Sequence, residues 1–266
     1  MNKRNFMRKT KYAIWIPRKI NRKPKGRASV ISDLFPLRSD SNWQTHFELL
    51  NVAGLISGDN SLTQRRMARF VLFNCEGEKL AEKMIPIPKS GRQTVNLDSG
   101  FHASILEASA FAVFHEYSEP ELEIGNSFLA ERGYTGYSRK HAKIRAYVHG
   151  NLDSIAFCQG EIQAIGNRGL FPRHYTVQHP LRGPAIYEFY LSNPTPHSVS
   201  IKIQHCEVGG TWKGIKHFKL RSMGNRILRI EKKDDSPSFI RIRSRLYLGR
   251  PVVFRLTDQG FDVFHG

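Results

Sequence analysis

No apolar run in this chain approaches the ~20 residues that a membrane-spanning helix needs, which excludes an integral helical membrane protein. Cysteine is scarce. Cys75, Cys158 and Cys206 are too few for a disulfide framework and read as reduced thiols, so the expected location is cytoplasmic. Catalytic and cofactor signatures are missing as well: no Cys-x-x-Cys, His-Glu-x-x-His, Gly-x-Ser-x-Gly, phosphate-binding Gly-Lys-Ser/Thr loop or dinucleotide fingerprint occurs. No catalytic residue, metal ligand or cofactor is therefore assigned.

Acid is also in short supply. The 266 residues hold 41 Lys and Arg against 23 Asp and Glu, a net charge of +18. Residues 1–27 contain eleven bases and no acid, residues 28–169 carry a net charge of −2, and residues 170–266 a net charge of +9. Two separated basic regions favour polyanions over neutral partners. The segment 1–33 reads as a flexible basic arm. Its Phe6, Tyr12 and Trp15 among the cations are residue types that stack on nucleic acid or sit on an anionic membrane surface.

What is plentiful is period-two alternation. Val199, Ile201 and Ile203 alternate with Ser198, Ser200 and Lys202, and Ile240 and Ile242 alternate with Arg241 and Arg243. Such runs are half-buried strands. Asn193-Pro-Thr-Pro196, Gly209-Gly210, Asp234-Asp-Ser-Pro237 and Gly249-Arg-Pro251 supply the turns between them. Helical patterns are few: Leu122 to Arg132 reads as one short helix, and Ile105 to Phe114 fits helix or strand.

Motifs also recur in order. Leu34-Phe-Pro36 returns as Leu170-Phe-Pro172, and Phe47-x-Leu49-x-Asn51 as Phe189-x-Leu191-x-Asn193. Asn74-Cys-Glu76 returns as His205-Cys-Glu207, each followed by a Gly-containing turn and further strand-like runs. This pattern predicts an internal duplication. Tyr187-Glu-Phe-Tyr-Leu-Ser-Asn-Pro-Thr195, Val199-Ser-Ile-Lys-Ile203 and the strands near Ile240 and Val252 resemble the immunoglobulin-like or fibronectin-like β-sandwich superfamily, without its Cys…Trp…Cys core. The resemblance implies an all-β chain of two tandem antiparallel β-sandwich domains, at 34–117 and 170–266, with an ordered bridge at 118–169. It also implies binding rather than catalysis.

Two residue sets are candidate sites. Arg241, Arg243 and Arg245 fall on one face of one strand, with Lys219, Arg221 and Arg229 outward on neighbouring strands, as a polyanion-binding patch. Within the bridge, Arg132, Tyr134, Tyr137, Arg139, His149 and Asn151 are types that read sugars or anionic groups by stacking and forked hydrogen bonds. The expectation is a non-catalytic binding or scaffolding protein that engages an acidic polymer or a protein partner. The alternatives are a nucleic-acid binder using the arm and the arginine strand, peripheral membrane contact through the arm, and an enzyme at the domain junction with Cys158 as nucleophile and His149 as base.

Overall fold

The computed structural model describes residues 20–25, 29–40, 42–51, 67–88, 91–116, 133–140, 142, 144–150, 153–247 and 249–266. Among the described residues, nineteen strands form five small antiparallel sheets. Blade 1 joins β1 (Val30–Ser32), β10 (Ile155–Cys158) and β11 (Glu161–Ala164). Blade 2 runs β2 (Phe35–Pro36), β7 (Ala110–Glu116), β4 (Met67–Phe73) and β5 (Lys79–Pro86). Blade 3 runs β6 (Arg92–Asn96), β3 (Trp43–Leu50), β8 (Tyr134–Arg139) and β9 (Ala146–His149). Blade 4 runs β12 (Arg168–Thr176), β17 (Ser238–Leu246), β14 (Val199–Glu207) and β15 (Lys213–Leu220). Blade 5 runs β16 (Asn225–Lys232), β13 (Ala185–Ser192), β18 (Val252–Leu256) and β19 (Phe261–His265).

The tandem-sandwich expectation, and with it the immunoglobulin-like resemblance, is overturned. The chain is all-β, but its sheets are set as five blades in a β-propeller arrangement rather than as two sandwich domains. Alternation along a strand states that one face is buried. It does not state how many sheets there are or which one does the burying, and that is where the expectation failed. Residues 118–169 are not a separate bridge, since β8 and β9 pair onto β3 and complete blade 3, while β10 and β11 pair with β1 as blade 1. Non-sequential strand orders join residues far apart in the chain, and the order of blades 2 and 3 recurs in blades 4 and 5.

Among the described residues, four apolar clusters lie between blades. Phe47 and Leu49 of β3 meet Phe70, Leu72, Phe111 and Val113 between blades 2 and 3, where the single-turn helix α1 (Leu97–Phe101) adds Leu97. Tyr187, Phe189 and Leu191 meet Ile201, Ile203, Ile240 and Ile242 between blades 4 and 5. Val71, Phe73, Ala112 and Phe114 on the other side of blade 2 are covered by Ile155 and Phe157 of blade 1. Trp43, Tyr137 and Val148 of blade 3 pack on Tyr190, Val252 and Phe254 of blade 5, with Trp43 and Tyr137 edge-on to Phe254. Arg38 and Glu188, both nearly buried, form an ion pair across this last contact, and the Arg38 guanidinium lies 4.1 Å from the Trp43 ring centre. A further tie runs from the β4–β5 turn to the loop before β16. Gly77 has φ +84, and a Cβ there would sit 2.2 Å from the Ser222 carbonyl oxygen, so only glycine fits.

Part of the predicted flexible arm is built into this body. The Asn21 amide donates to the Asp153 carbonyl at 2.9 Å, the Arg22 N–H donates to the Ile165 carbonyl at 2.7 Å, and Val30–Ser32 pairs with β10. Ile105 ends a 3₁₀ turn and Ala110–Glu116 is strand, while the helix expected at 122–132 and residues 1–19 lie outside the described residues. Among the described residues no helix is long and apolar enough to cross a membrane.

Candidate functional site

Blade 4 has one face on the core and one in water. Along β17, Ser238, Ile240, Ile242, Ser244 and Leu246 are buried while Arg241, Arg243 and Arg245 point outward. Register then assembles a patch from four strands. Arg243 lies between His174 of β12 and Lys202 of β14, and Lys202 is opposite His217 of β15, which makes one cross-sheet row. At about 4.8 Å per strand this row is about 15 Å long. Arg241 lies beside it, between Thr176 and Gln204, and Lys219 lies opposite Ser200.

Among the described residues, the bases on this face have only neutral partners. Arg241 Nε donates to Gln204 Oε1 at 3.1 Å, and its guanidinium stacks 4.1 Å from the Trp212 ring centre. Arg245 Nε donates to the Gly169 carbonyl at 2.8 Å. Among the described residues, no ion pair involves Lys202, Lys219, Arg241, Arg243 or Arg245. Directly opposed like charges destabilise a sheet. At roughly 5 Å in water the directly opposed Arg243–Lys202 pair costs about 0.8 kcal/mol. His174 registers this field: burial, then Arg241 and Arg243, hold its imidazole below the usual range. An arriving anion offsets the repulsion among these cations, though not the burial.

Four of the six residues expected in the polyanion patch are thus on one face. The other two are elsewhere. Arg221 follows β15 and lies 3.5 Å from the carboxylate of Glu76, which also pairs with Arg226. Arg229 belongs to blade 5, in register with Glu188. Sequence reasoning overlooked Lys202 and His174. The alternation of β14 already marked Lys202 as outward, whereas β12 carries no period-two signal that would place His174.

The second set does not converge. Tyr134 and His149 are register partners on adjacent strands and both are exposed. Tyr137, three residues along β8, faces the opposite side, is fully buried and donates its hydroxyl to the Pro36 carbonyl at 2.7 Å. Arg139 is spent over the Trp43 ring at 5.6 Å, and Arg132 and Asn151 lie outside the described residues. His149 instead accepts, through its carbonyl, a 3.0 Å hydrogen bond from His265 Nε2. Burial, Arg250 and His149 push the His265 imidazole down to about 4. Cys158 is buried at the end of β10 in blade 1, whereas His149 is exposed at the end of β9, the edge strand of blade 3.

On the same side of blade 3 as Tyr134, the buried Glu48 accepts hydrogen bonds from the Thr94 and Tyr147 hydroxyls, each at 3.0 Å, with Arg145 at 3.7 Å. His46 Nε2 is 3.1 Å from Ser138 Oγ, and both are buried. Burial, ahead of Arg145, lowers the His46 pKa. The carboxylate's hydrogen bonds are satisfied internally, and the hydroxyl beside His46 is closed to substrate. Among the described residues no group of three or more His, Cys, Asp or Glu is arranged to hold a metal ion. No protein-family model matches the chain, and no curated protein matches it.

Proposed function

We propose that this chain is a non-catalytic binding protein that engages a polyanion through the outer face of blade 4. One observation carries the reading: the row His174–Arg243–Lys202–His217, flanked by Arg241, Arg245 and Lys219, has no acidic partner among the described residues. A sheet face is a rigid mount, so the cations are already in place and little side-chain freedom is lost on binding. For base stacking by single-stranded nucleic acid, the Trp212 ring on this face is already taken by Arg241. The three free cysteines, Cys75, Cys158 and Cys206, support a reducing, cytoplasmic setting.

The test is retention on immobilised heparin across a salt series, comparing the wild type with R241Q/R243Q/R245Q. The slope of log affinity against log salt is expected to flatten by roughly one unit per lost contact, with the melting temperature unchanged. Unchanged retention and slope in the folded variant would remove the face from the site.

A further inference from the structure

The cations end at an unusual piece of chain. On β12, Arg168 pairs with Leu246 and Arg173 pairs with Ser244, so residues 169–172 bulge out opposite the single residue Arg245. The bulge carries Leu170 and Phe171, which are 82% and 78% exposed, two of the three most exposed large apolar side chains described and the adjacent pair among them. Arg245, an outward residue of the basic face, reaches the Gly169 carbonyl with its Nε, so the bulge adjoins that face. Arg173, on the far side of the bulge, stacks its guanidinium 4.7 Å from the Tyr247 ring centre.

A dissolved polysaccharide has no use for two adjacent apolar side chains held out in water beside a cationic plateau, and a single-stranded nucleic acid would stack on Phe171 but leave Leu170 unused. A bilayer with anionic headgroups uses both: cations rest on the phosphates while a short apolar tip enters the acyl boundary, and a tyrosine sits at the level between them. A second copy of the chain is disfavoured, because its matching face would bring the same cations together. Resting on the polyanion reading above, we infer that the polyanion is the surface of an anionic membrane, with Leu170 and Phe171 as the inserted tip and Lys202, Lys219, Arg241, Arg243 and Arg245 as the headgroup plateau.

Co-sedimentation of the full chain with vesicles tests this, using phosphatidylcholine alone and phosphatidylcholine mixed with phosphatidylserine. Partition into the mixed vesicles is expected to exceed that into neutral ones by more than tenfold. L170S/F171S should lower it about tenfold or more while leaving heparin retention untouched, whereas R241Q/R243Q/R245Q should lower both, by about fivefold per charge at the membrane. As a readout that does not depend on removing the tip, a Phe171→Trp variant should gain emission that shifts to the blue and is quenched by brominated lipid when mixed vesicles are added. Equal partition into both vesicle types, no effect of L170S/F171S, or no quenching would overturn the membrane assignment. If heparin retention still fell in the arginine variant, the polyanion reading would survive that result. If heparin retention did not respond to the arginines either, both readings would fall together.

Discussion

Blades 2 and 4 share a strand order and a core-facing side, and differ in what lies over the other side. In blade 2 the residues turned away from the main core include Val71, Phe73, Ala110, Ala112 and Phe114, all fully buried under blade 1, while Arg69 at the end of this face is ion-paired with Glu82 and stacked on Phe157. In blade 4 the matching register positions hold Lys202, Gln204, Arg241, Arg243 and Arg245, and among the described residues no sheet covers them. Core-facing positions stay apolar in both: Ala68, Phe70 and Leu72 in one, Val199, Ile201 and Ile203 in the other. Period two sets which residues share a face, while the neighbour over that face sets their chemistry. A covered face must be apolar or hold its charges paired, as Arg69 is with Glu82, because an unpaired charge there costs several kcal/mol, and an uncovered face is free to carry unpaired charge.

The most damaging way to break this comparison is to exchange one residue. Ala112→Arg puts into blade 2 what blade 4 carries at the register-equivalent Arg243, but beneath blade 1. Urea unfolding should show a loss of about 3–5 kcal/mol, or no soluble protein. The reverse change, Arg243→Ala, should stay within about 0.5 kcal/mol of wild type. An equal cost for the two would mean that cover does not decide these faces.

Removing the cover is the next largest perturbation. Deleting residues 1–33 takes β1 from blade 1 and uncovers part of the Val71–Phe114 side. A loss of about 2–4 kcal/mol is expected from the apolar area exposed, seen by calorimetry as a fall of about 5–15 °C in Tm. An unchanged Tm would show that β10 and β11 suffice as cover.

On the open face the expected stability effect is smaller and of opposite sign. R241Q/R243Q/R245Q relieves repulsion, so Tm should hold or rise slightly, and a marked fall would mean that the arginines support the fold. The finest probe is His174. Its pKa is lowered first by burial and then by Arg241 and Arg243, so R241Q/R243Q should move it only part of the way back to the ordinary value, read by imidazole NMR titration. Because the folded imidazole takes up a proton less readily than the unfolded one, His174 costs stability as pH falls through the window below 6.5. A polyanion raises that pKa, so binding should take up protons and tighten as pH falls through the same window. Proton-neutral binding would separate His174 from the site.

Several features were legible in the sequence because they depend on near neighbours alone. The all-β character follows from runs such as Val199–Ile203, and the outward direction of Arg241, Arg243 and Arg245 follows from Ile240 and Ile242 between them. The grouping of Lys219 with those arginines was legible too, since β15 follows β14 through the turn at Gly209-Gly210. Arg221 and Arg229 were misplaced because one residue beyond a strand end, or one strand in the next blade, sends a side chain to a different surface. Only the tertiary structure decided the rest. It placed β8 and β9 in blade 3, put Tyr137 on a buried face with its hydroxyl on Pro36, divided the strands into five sheets and set blade 1 over blade 2 while leaving blade 4 bare. Those outcomes depend on hydrogen bonds and apolar contacts between residues far apart in the chain, and local alternation carries no record of which distant strand supplies them.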